Sequence, residues 1–306
     1  MDLATIERTS PTLVPNILSV FGESGRAWLD ALPALVTTCA ASWALRVGPP
    51  FPNLSYNVVA PAVGADGERV VLKLGVPSRE LATEIAALRH FDGVGSCRLL
   101  AADETAGALL LERLEPGRLL FTIEDDEAAT RIAAEVMGRL WRPAPSAHPF
   151  PTVARWGEGF ARLRRRFASG SGPLPAPLFE RAERRFAELL ASSAPAVVLH
   201  GDLHHWNVLS AERTPWLAID PKGVVGEPAY EVGAWLRNPL PSLLDRPAPG
   251  RILARRLDLL AETLGLDRER LRGWGFAQAI LSAWWCLEDG VDGWEQALRI
   301  ADLLTE

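Results

Sequence analysis

The sequence predicts an α+β fold with a small β-rich N-terminal part and a larger, mostly helical C-terminal part. Strand-like runs occur up to about residue 114, helical patterns fill most of the chain after residue 116, and 48% of the 306 residues are hydrophobic. A chain of this length and composition can bury a sizeable core and is typical of about two lobes or domains. We place these at residues 1–113 and 114–306.

The N-terminal part is expected to combine one leading helical region with four strands and a second helix. The leading region covers residues 24–46, and its Pro33 indicates a break or a helix start. The strand-like runs are 55–63, 68–74, 97–103 and 107–114. Ser78 is the expected N-cap of the helix that follows the second of these strands.

The C-terminal part is expected to be helical apart from one embedded hairpin. Expected helices cover 125–141, 155–168, 177–193, 229–236, 250–265, 267–288 and 292–304. The hairpin lies in residues 196–223, which read AVVLHGDLHHWNVLSAERTPWLAIDPKG. Its return would bring Asp220 back beside Asn207.

Composition argues against several classes of partner. With 32 basic and 38 acidic residues the net charge is −6, whereas general nucleic-acid binding requires clustered Lys and Arg. The basic segment 162–167 has no aromatic platform and is interpreted as a solvated helix face. No apolar run approaches the roughly 18 residues of a membrane span. We therefore expect neither a nucleic-acid nor a membrane partner, and we expect a monomer.

The termini and cysteines indicate a cytoplasmic protein. The N-terminal residues include early acidic side chains and no long apolar core, so they do not form a secretory signal. The three cysteines are far apart in sequence, at positions 39, 97 and 286. They form neither a disulfide framework nor a zinc pattern, and a reducing compartment is the simplest expectation.

Lys73 lies in the middle of an apolar strand. Strand periodicity directs its side chain away from the face shared by Leu72 and Leu74. It is either an edge-strand lysine that reaches solvent or one that needs an anionic partner. On the next helix, Glu84 borders the apolar face and can reach the sheet, whereas Glu80 lies toward solvent.

The segment 196–223 carries the residues expected to do chemistry. Asp202 followed five residues later by Asn207 supplies a base and a metal ligand on one tight loop, and Asp220 supplies a second ligand. Carboxylate and amide oxygens are the ligands that Mg²⁺ prefers. This combination is typical of phosphoryl transfer.

A zinc site is the alternative interpretation of the same segment. Its ligands would be His200, His204 and His205, but their spacing matches no common zinc pattern. We interpret His200 and His204 as residues that hydrogen-bond the loop backbone, and His205 as exposed.

The segment HGDLHHWNVL, followed by AIDPKG, resembles the catalytic loop and metal-binding segment of the aminoglycoside phosphotransferase family, which has the bilobal protein-kinase-like fold. The segments FPNLSYNVVAPA, LLLERLEPGRLL, IDPKGVVGEPAYE and AWWCLEDG are similar to the streptomycin 6-kinase branch, which also includes hydroxyurea phosphotransferases. The resemblance extends from about residue 24 to the end of the chain.

The resemblance implies a role for each matching residue. Asp202 would be the catalytic aspartate, and Asn207 and Asp220 would bind Mg²⁺. Lys73 would hold the α- and β-phosphates of ATP, with Glu84 as its ion-pair partner. The backbone near Glu112 to Leu114 would hydrogen-bond adenine.

Two segments depart from the wider kinase pattern. The nucleotide loop around Leu54 to Asn57 has no glycine, and Ser55 and Asn57 are expected to substitute through hydroxyl, amide and backbone groups. In the metal-binding segment, Lys222 either adds positive charge near the γ-phosphate or pairs with Glu227.

The resemblance favours a cationic aminoglycoside as the substrate, streptomycin first, and an antibiotic-resistance role. The acids that would receive this cation are Glu227, Glu231, Glu288 and Asp289, with Asp292 close by. Helix capping and solvated helix faces are the alternative interpretation of these acids. Two alternative functions remain: a kinase for another small hydroxyl compound such as hydroxyurea or a metabolite, and a non-catalytic kinase-like binding protein.

Overall fold

The computed structural model of the chain describes residues 3–305. The chain divides into two compact units, Met1–Gly93 with Cys97–Glu115 and Val94–Ser96 with Pro116–Glu306. The first unit carries a five-stranded sheet, and the second is mostly helical with two small sheets. This confirms the predicted fold class. Within residues 3–305, no helix is both long and apolar enough to cross a membrane.

The described residues of the first unit form three helices and five strands. The helices are α1 (Leu3–Thr9), α2 (Leu13–Ser42) and α3 (Arg79–Phe91), and the strands are β1 (Arg46–Val47), β2 (Val58–Val63), β3 (Arg69–Leu74), β4 (Leu99–Asp103) and β5 (Ala108–Glu112). The sheet has the order β1-β2-β3-β5-β4, with every neighbouring pair antiparallel.

The alternation of side chains along β3 divides the first unit into two layers. Leu72 and Leu74 are buried in one apolar cluster with residues of α1 and α2. Because successive side chains of a strand point to opposite faces, Lys73 faces the other layer, where it meets α3. Ser78 caps α3 as predicted, and its Oγ accepts a hydrogen bond from the backbone N–H of Leu81.

The leading helical region differs from its prediction. Helix α2 starts at Leu13 rather than at residue 24, and α1 precedes it. The helix continues through Pro33 and is interrupted instead at Gly22, where φ is 54°. A positive φ is open to glycine at little cost, so Gly22 is the position at which this helix can bend.

The second unit contains eight α-helices and six strands among its described residues. The helices are α4 (Asp126–Leu140), α5 (Val153–Arg166), α6 (Ala176–Ala191), α7 (Val232–Arg237), α8 (Ser242–Asp245), α9 (Pro249–Leu264), α10 (Arg268–Asp289) and α11 (Trp294–Leu303). The strands are β6 (Pro116–Leu119), β7 (Arg142–Pro143), β8 (Val197–Leu199), β9 (Val208–Ala211), β10 (Trp216–Ala218) and β11 (Val224–Gly226).

Helix α10 lies at the centre of the second unit. It packs against α5, α6, α7, α9 and α11, and its middle is buried on nearly every side. A helix that is apolar all round belongs inside a core rather than on a surface. The core also includes Trp235 of α7 and Trp274 of α10, both without exposed surface.

The embedded β structure is more extensive than a single hairpin. The predicted hairpin is present as β9 and β10, with Val208 opposite Ala218. In addition, β6 pairs with β9, while β7 and β11 flank β8. Strands of two to four residues that pair over long sequence distances carry too little periodicity to be recognised from the sequence.

Candidate active site

Lys73 and Glu84 form a buried ion pair in the first unit. Lys73 Nζ lies 2.6 Å from Glu84 Oε1, and the two residues are 1% and 7% exposed. Buried charges of opposite sign must be paired, because taking either one alone out of water costs several kcal/mol. The strand and the helix together hold the ammonium group in one position, which is what a phosphate-binding lysine requires.

The glycine-free nucleotide loop lies between β1 and β2. Ser55 is exposed and Asn57 is half-buried. The Asn57 side chain lies over Gly75, directly after β3, so closely that a Cβ there would collide with its amide oxygen. Gly75 therefore supplies the close approach that lets Asn57 pack on the end of the lysine strand.

Glu112 and Leu114 lie at the end of β5. The Glu112 carboxylate accepts a hydrogen bond of 3.0 Å from the backbone N–H of Arg98, and Leu114 is buried. These contacts hold the backbone of the segment that is expected to bind adenine. They leave the adenine contacts themselves a prediction.

Asp202 lies in the turn between β8 and β9, where His200 and Gly201 begin the loop. Its Oδ1 accepts a hydrogen bond of 3.2 Å from Arg237 Nη2, and its Oδ2 lies 3.5 Å from His204 Nε2. Burial alone would raise the pKa of Asp202, but the interaction with His204 and the positive charges of Arg237 and Lys222 outweigh it and hold the pKa well below its ordinary value. The carboxylate is therefore ionised at neutral pH.

Asn207 and Asp220 are brought together by the β9–β10 hairpin. The backbone N–H of Ile219 donates to Asn207 O at 2.9 Å, which sets Asp220 beside it. Asn207 Nδ2 donates to Asp202 O at 3.0 Å, so its amide oxygen points the other way and is available as a ligand. One amide oxygen and one carboxylate, completed by phosphate oxygens, fit the ligand preference of Mg²⁺.

Asp220 has an unusual backbone conformation for a residue with a side chain, with φ at 57°. Aspartate is among the few residues that tolerate the left-handed region, and it still incurs a cost there. The backbone N–H groups of Lys222 and Gly223, directly after it, both donate to His200 O. The loop that carries Asp202 therefore anchors the segment that carries Asp220.

The three histidines have separate structural environments. His200 is buried, its Nε2 lies 2.8 Å from Ile219 O, and burial lowers its pKa to about 4. His204 Nδ1 accepts a hydrogen bond from Trp206 N. The expectation that His205 is exposed is wrong, since it is 4% exposed and stacks on Trp235 with ring centroids 3.8 Å apart. Among residues 3–305, no three His, Cys, Asp or Glu side chains are grouped to hold a metal.

Glu231 anchors the loop rather than facing a substrate, which corrects its assignment as a substrate carboxylate. Its two oxygens accept hydrogen bonds from the backbone N–H groups of His200, at 2.6 Å, and Gly201, at 2.8 Å. The residue is 1% exposed, and burial raises its pKa to about 7 despite these bonds. No surface of this carboxylate is left for a cation.

Glu227 is also buried and occupied, so its assignment to the substrate is corrected too. Its carboxylate binds the guanidinium of Arg270 and accepts hydrogen bonds from Trp274 Nε1 and the backbone N–H of Ala194. Glu227 is thus paired to Arg270, and the charge of Lys222 acts on Asp202.

Glu288 and Asp289 end helix α10. Glu288 forms a two-pronged salt bridge with Arg162, at 2.6 and 2.9 Å, whereas Asp289 is exposed. One turn earlier, Trp285 packs on Trp156, which in turn lies against Gly201. The acidic end of α10 is thus linked to the loop of Asp202 through two tryptophans.

Sequence reasoning missed two residues that support the site. Arg237, at the end of α7, contacts Asp202, and its Nη1 donates to Gln278 Oε1 of α10 at 2.5 Å. The available signal was an arginine directly after the predicted helix 229–236, which by itself is typical of any helix C-terminus. Gln278, in the middle of an apolar helix, was a polar residue that needed a partner.

Comparison with known proteins shows the family of the chain. Residues 46–290 match the model of the family described as aminoglycoside/hydroxyurea antibiotic resistance kinase. A streptomycin 6-kinase from Streptomyces glaucescens is 37% identical over 280 residues, covering 91% of this chain and 90% of that protein. A hydroxyurea phosphotransferase from Kitasatospora aureofaciens is 38% identical over 298 residues, covering 95% and 84%.

Solved structures share the fold. A choline/ethanolamine kinase family protein from Mesorhizobium loti aligns with a TM-score of 0.64 at 16% identity, over 89% of this chain and 95% of that one. The aminoglycoside phosphotransferase APH(3'')-Id from Streptomyces rimosus, solved with ADP and streptomycin, aligns with a TM-score of 0.55 at 20% identity, over 81% and 97%. With its site geometry, its family match and its relatives taken together, this chain belongs to the aminoglycoside/hydroxyurea antibiotic resistance kinase family.

Proposed function

We propose that this kinase transfers the γ-phosphoryl group of ATP to a hydroxyl of an aminoglycoside, with streptomycin as the first candidate. The observation that carries the proposal is the ionised carboxylate of Asp202, fixed by Arg237 on the same loop as Asn207 and next to the hairpin that ends at Asp220. A hydroxyl-orienting carboxylate beside two oxygen ligands is the arrangement that phosphoryl transfer requires.

Asp202 acts mainly by orienting the acceptor. A carboxylate whose pKa is held low is a weak base, so it takes the hydroxyl proton only as the new O–P bond forms and the hydroxyl becomes more acidic. Phosphoryl transfer needs little covalent assistance and depends on alignment and charge stabilisation. The hydrogen bond from Arg237 keeps Asp202 in one orientation for this task.

Each unit, taken by itself, carries groups that suit MgATP. In the first unit Lys73, fixed by Glu84, binds phosphate oxygens, and the segment from Glu112 to Leu114 offers backbone groups to adenine. In the second unit Asn207 and Asp220 bind Mg²⁺. When bound, the metal ion neutralises charge on the phosphates and aligns the terminal one.

The substrate class is supported by the relatives and by charge. Two similar proteins are streptomycin 6-kinases, and streptomycin carries planar guanidino cations that carboxylates bind through paired hydrogen bonds. After the correction of Glu227 and Glu231, the acids proposed to receive it are Glu288 and Asp289. Hydroxyurea is the second candidate, favoured by the 38% identity to a hydroxyurea phosphotransferase. This compound is small and neutral, so its binding would not depend on the charges of Glu288 and Asp289.

The test is an ADP-release assay with streptomycin, other aminoglycosides and hydroxyurea, with the phosphorylated product identified by mass. Asp202→Ala should retain ATP binding and lose several orders of magnitude in kcat, because the acceptor loses its orienting group. Asp245→Ala, which alters an exposed aspartate of the same unit, is the matched control. Near-normal turnover by Asp202→Ala would refute the assignment of the catalytic residue.

A further inference from the structure

The nucleotide loop is attached to the junction between α1 and α2 by four hydrogen bonds. The backbone N–H of Asn53 donates to Thr9 O at 3.0 Å, and that of Leu54 donates to Ser10 Oγ at 3.0 Å. Thr12 Oγ1 donates to Leu54 O at 3.3 Å, and Asn16 Nδ2 donates to Ser55 O at 3.1 Å. The side-chain partners Ser10, Thr12 and Asn16 are called here the helical brace.

Two features indicate that the brace serves the loop rather than its own helices. Thr12 is the N-cap residue of α2, yet its side chain makes no capping bond and donates to Leu54 O instead. An N-cap threonine ordinarily accepts a hydrogen bond from its own helix. Ser10 is fully buried, so its hydroxyl is an internal partner that satisfies Leu54 N–H.

The loop itself needs support from outside. It has no glycine between residues 49 and 57, and Asn53 adopts a φ of 59°. A residue with a side chain incurs a cost in free energy at a positive φ. It keeps this conformation only where contacts with its surroundings offset that cost. At the other side of the loop, Phe51 N–H donates to Val59 O at 2.9 Å, so the loop is held on both sides of Asn53.

We propose that the helical brace positions the nucleotide loop for ATP, which makes Ser10, Thr12 and Asn16 positioning residues for nucleotide binding. Loops rich in glycine can close around phosphates because their backbone is mobile. Here the loop is pre-ordered, so its backbone and the side chains of Ser55 and Asn57 are presented without an ordering cost on binding. The brace precedes residues 46–290, the part that matches the family model. The inference rests on the proposed use of ATP.

The variant that tests the brace is the double substitution Thr12→Val and Asn16→Ala. Thr12 is exposed and Asn16 is half-buried, so both can be changed without opening a core cavity. Thr37→Val is the matched control, because exposed Thr37 makes a similar side-chain bond to Pro33 O within α2 but lies far along the helix from the loop. Thr12→Ser keeps the hydroxyl and serves as the rescue variant.

Three quantities are measured on each variant of the chain. Hydrogen exchange of peptides covering residues 51–57 should be faster in the double variant and unchanged in the control. The Kd for MgATP, measured by titration without acceptor, should rise about tenfold, since each lost hydrogen bond weakens binding by up to about fivefold. The KM of the acceptor should not change, and Thr12→Ser with native Asn16 should restore both values.

The outcomes separate the inference from the proposed function. Unchanged exchange in the double variant overturns the brace. Faster exchange with an unchanged Kd for MgATP overturns its role in nucleotide binding. Absence of ATP binding by the unaltered protein overturns the inference together with the proposed function, whereas ATP binding without phosphorylation of any tested acceptor refutes only the latter.

Discussion

Arg237 Nη2 lies 3.2 Å from Asp202 Oδ1, and this contact joins the catalytic loop to the end of helix α7. The same guanidinium binds Gln278 of the central helix α10 through Nη1. Because a guanidinium presents its donors in a rigid plane, fixing one side at Gln278 also fixes the side that faces Asp202. The orientation of the candidate base is thus set by the core of the second unit.

Arg237→Met should lower kcat about 100-fold, because a misplaced orienting group loses much of the advantage of alignment. It should also move the acidic limb of the rate profile to higher pH. Arg237 helps to lower the pKa of Asp202, so without it the carboxylate becomes protonated at a higher pH. The measurement is kcat/KM against pH, and Arg155→Met, which alters an exposed arginine of α5, is the control. An unshifted profile would show that Arg237 is not coupled to Asp202.

Asp220→Asn should weaken the dependence of nucleotide binding on Mg²⁺, because one anionic ligand becomes neutral. ATP is titrated with and without Mg²⁺ for the variant, the unaltered protein and Asp245→Asn as the control. The gain in affinity given by the metal should shrink in Asp220→Asn alone. If the gain is the same in all three proteins, Asp220 has a structural role only.

The contacts that could be predicted from the sequence are those governed by local periodicity. Alternation along β3 and the period of α3 were enough to select Glu84 over Glu80 as the partner of Lys73, and the two side chains do meet. The return of the hairpin toward Asn207 was predictable for the same reason. In each case both members of the contact lie on, or directly beside, regular elements that are close in sequence.

Burial of charged and aromatic residues outside such elements could not be predicted. Glu231 and Glu227 are acidic residues that the sequence alone would place at the surface. The hydrogen-bond partners of Glu231 lie about 30 residues upstream, and Arg270, which binds Glu227, lies 43 residues downstream. His205 stacks on Trp235, 30 residues away. Such pairings depend on the tertiary arrangement, and the residue type alone does not reveal which acid faces solvent.

Glu231→Gln should destabilise the loop, because an amide group offers only one acceptor to the two N–H groups of His200 and Gly201. An orphaned buried N–H costs about 1–3 kcal/mol. The pKa of Glu231 is raised to about 7 in the folded protein, above that of an unfolded glutamate. The folded state therefore binds more protons, so this residue's contribution to stability is complete at low pH and is lost as pH rises through 7.

The check for Glu231 is urea unfolding of both proteins between pH 5 and 8. The stability advantage of the unaltered protein over Glu231→Gln should be largest at pH 5 and should decrease toward pH 8. Glu262→Gln, which alters an exposed glutamate of α9, is the control and should show a constant difference. An advantage that grows with pH would mean that Glu231 is ionised in the folded state throughout this range.

His205→Phe should make the protein less sensitive to acid. Burial and the nearby Arg256 lower the pKa of His205 to about 2, so the unfolded state binds the extra proton and stability is lost as pH falls below about 6.5. The loss reaches about 2 kcal/mol at pH 5. Phenylalanine keeps the stacking on Trp235 and cannot titrate. Thermal unfolding at pH 7.5 and pH 5 compares the variants, and an equal loss in both would place the acid sensitivity elsewhere, for example at His200.

The end of α10 carries two neighbouring acids, Glu288 and Asp289. Asp289 lies one turn after Trp285 on the same face of the helix, and Trp285 packs on Trp156 beside Gly201. Arg162 already neutralises Glu288 through two hydrogen bonds. The charges of Glu158 and Asp289 also act on Arg162, so acids outnumber this arginine here. We expect the negative charge of Asp289 to contribute to binding a cation.

If the acceptor is a guanidino compound, Asp289→Asn should raise its KM about two- to fivefold, as expected for an exposed charge pair. The KM of ATP should stay nearly constant. The acceptor KM of the unaltered protein should rise with salt, because screening weakens exposed charge pairs, and this salt dependence should be smaller in Asp289→Asn. Glu262→Gln is the control for a general change in surface charge. With hydroxyurea as acceptor, neither the substitution nor salt should matter, because that substrate is neutral. A streptomycin KM that responds to neither change would remove the acidic end of α10 from the acceptor site and would favour the hydroxyurea alternative.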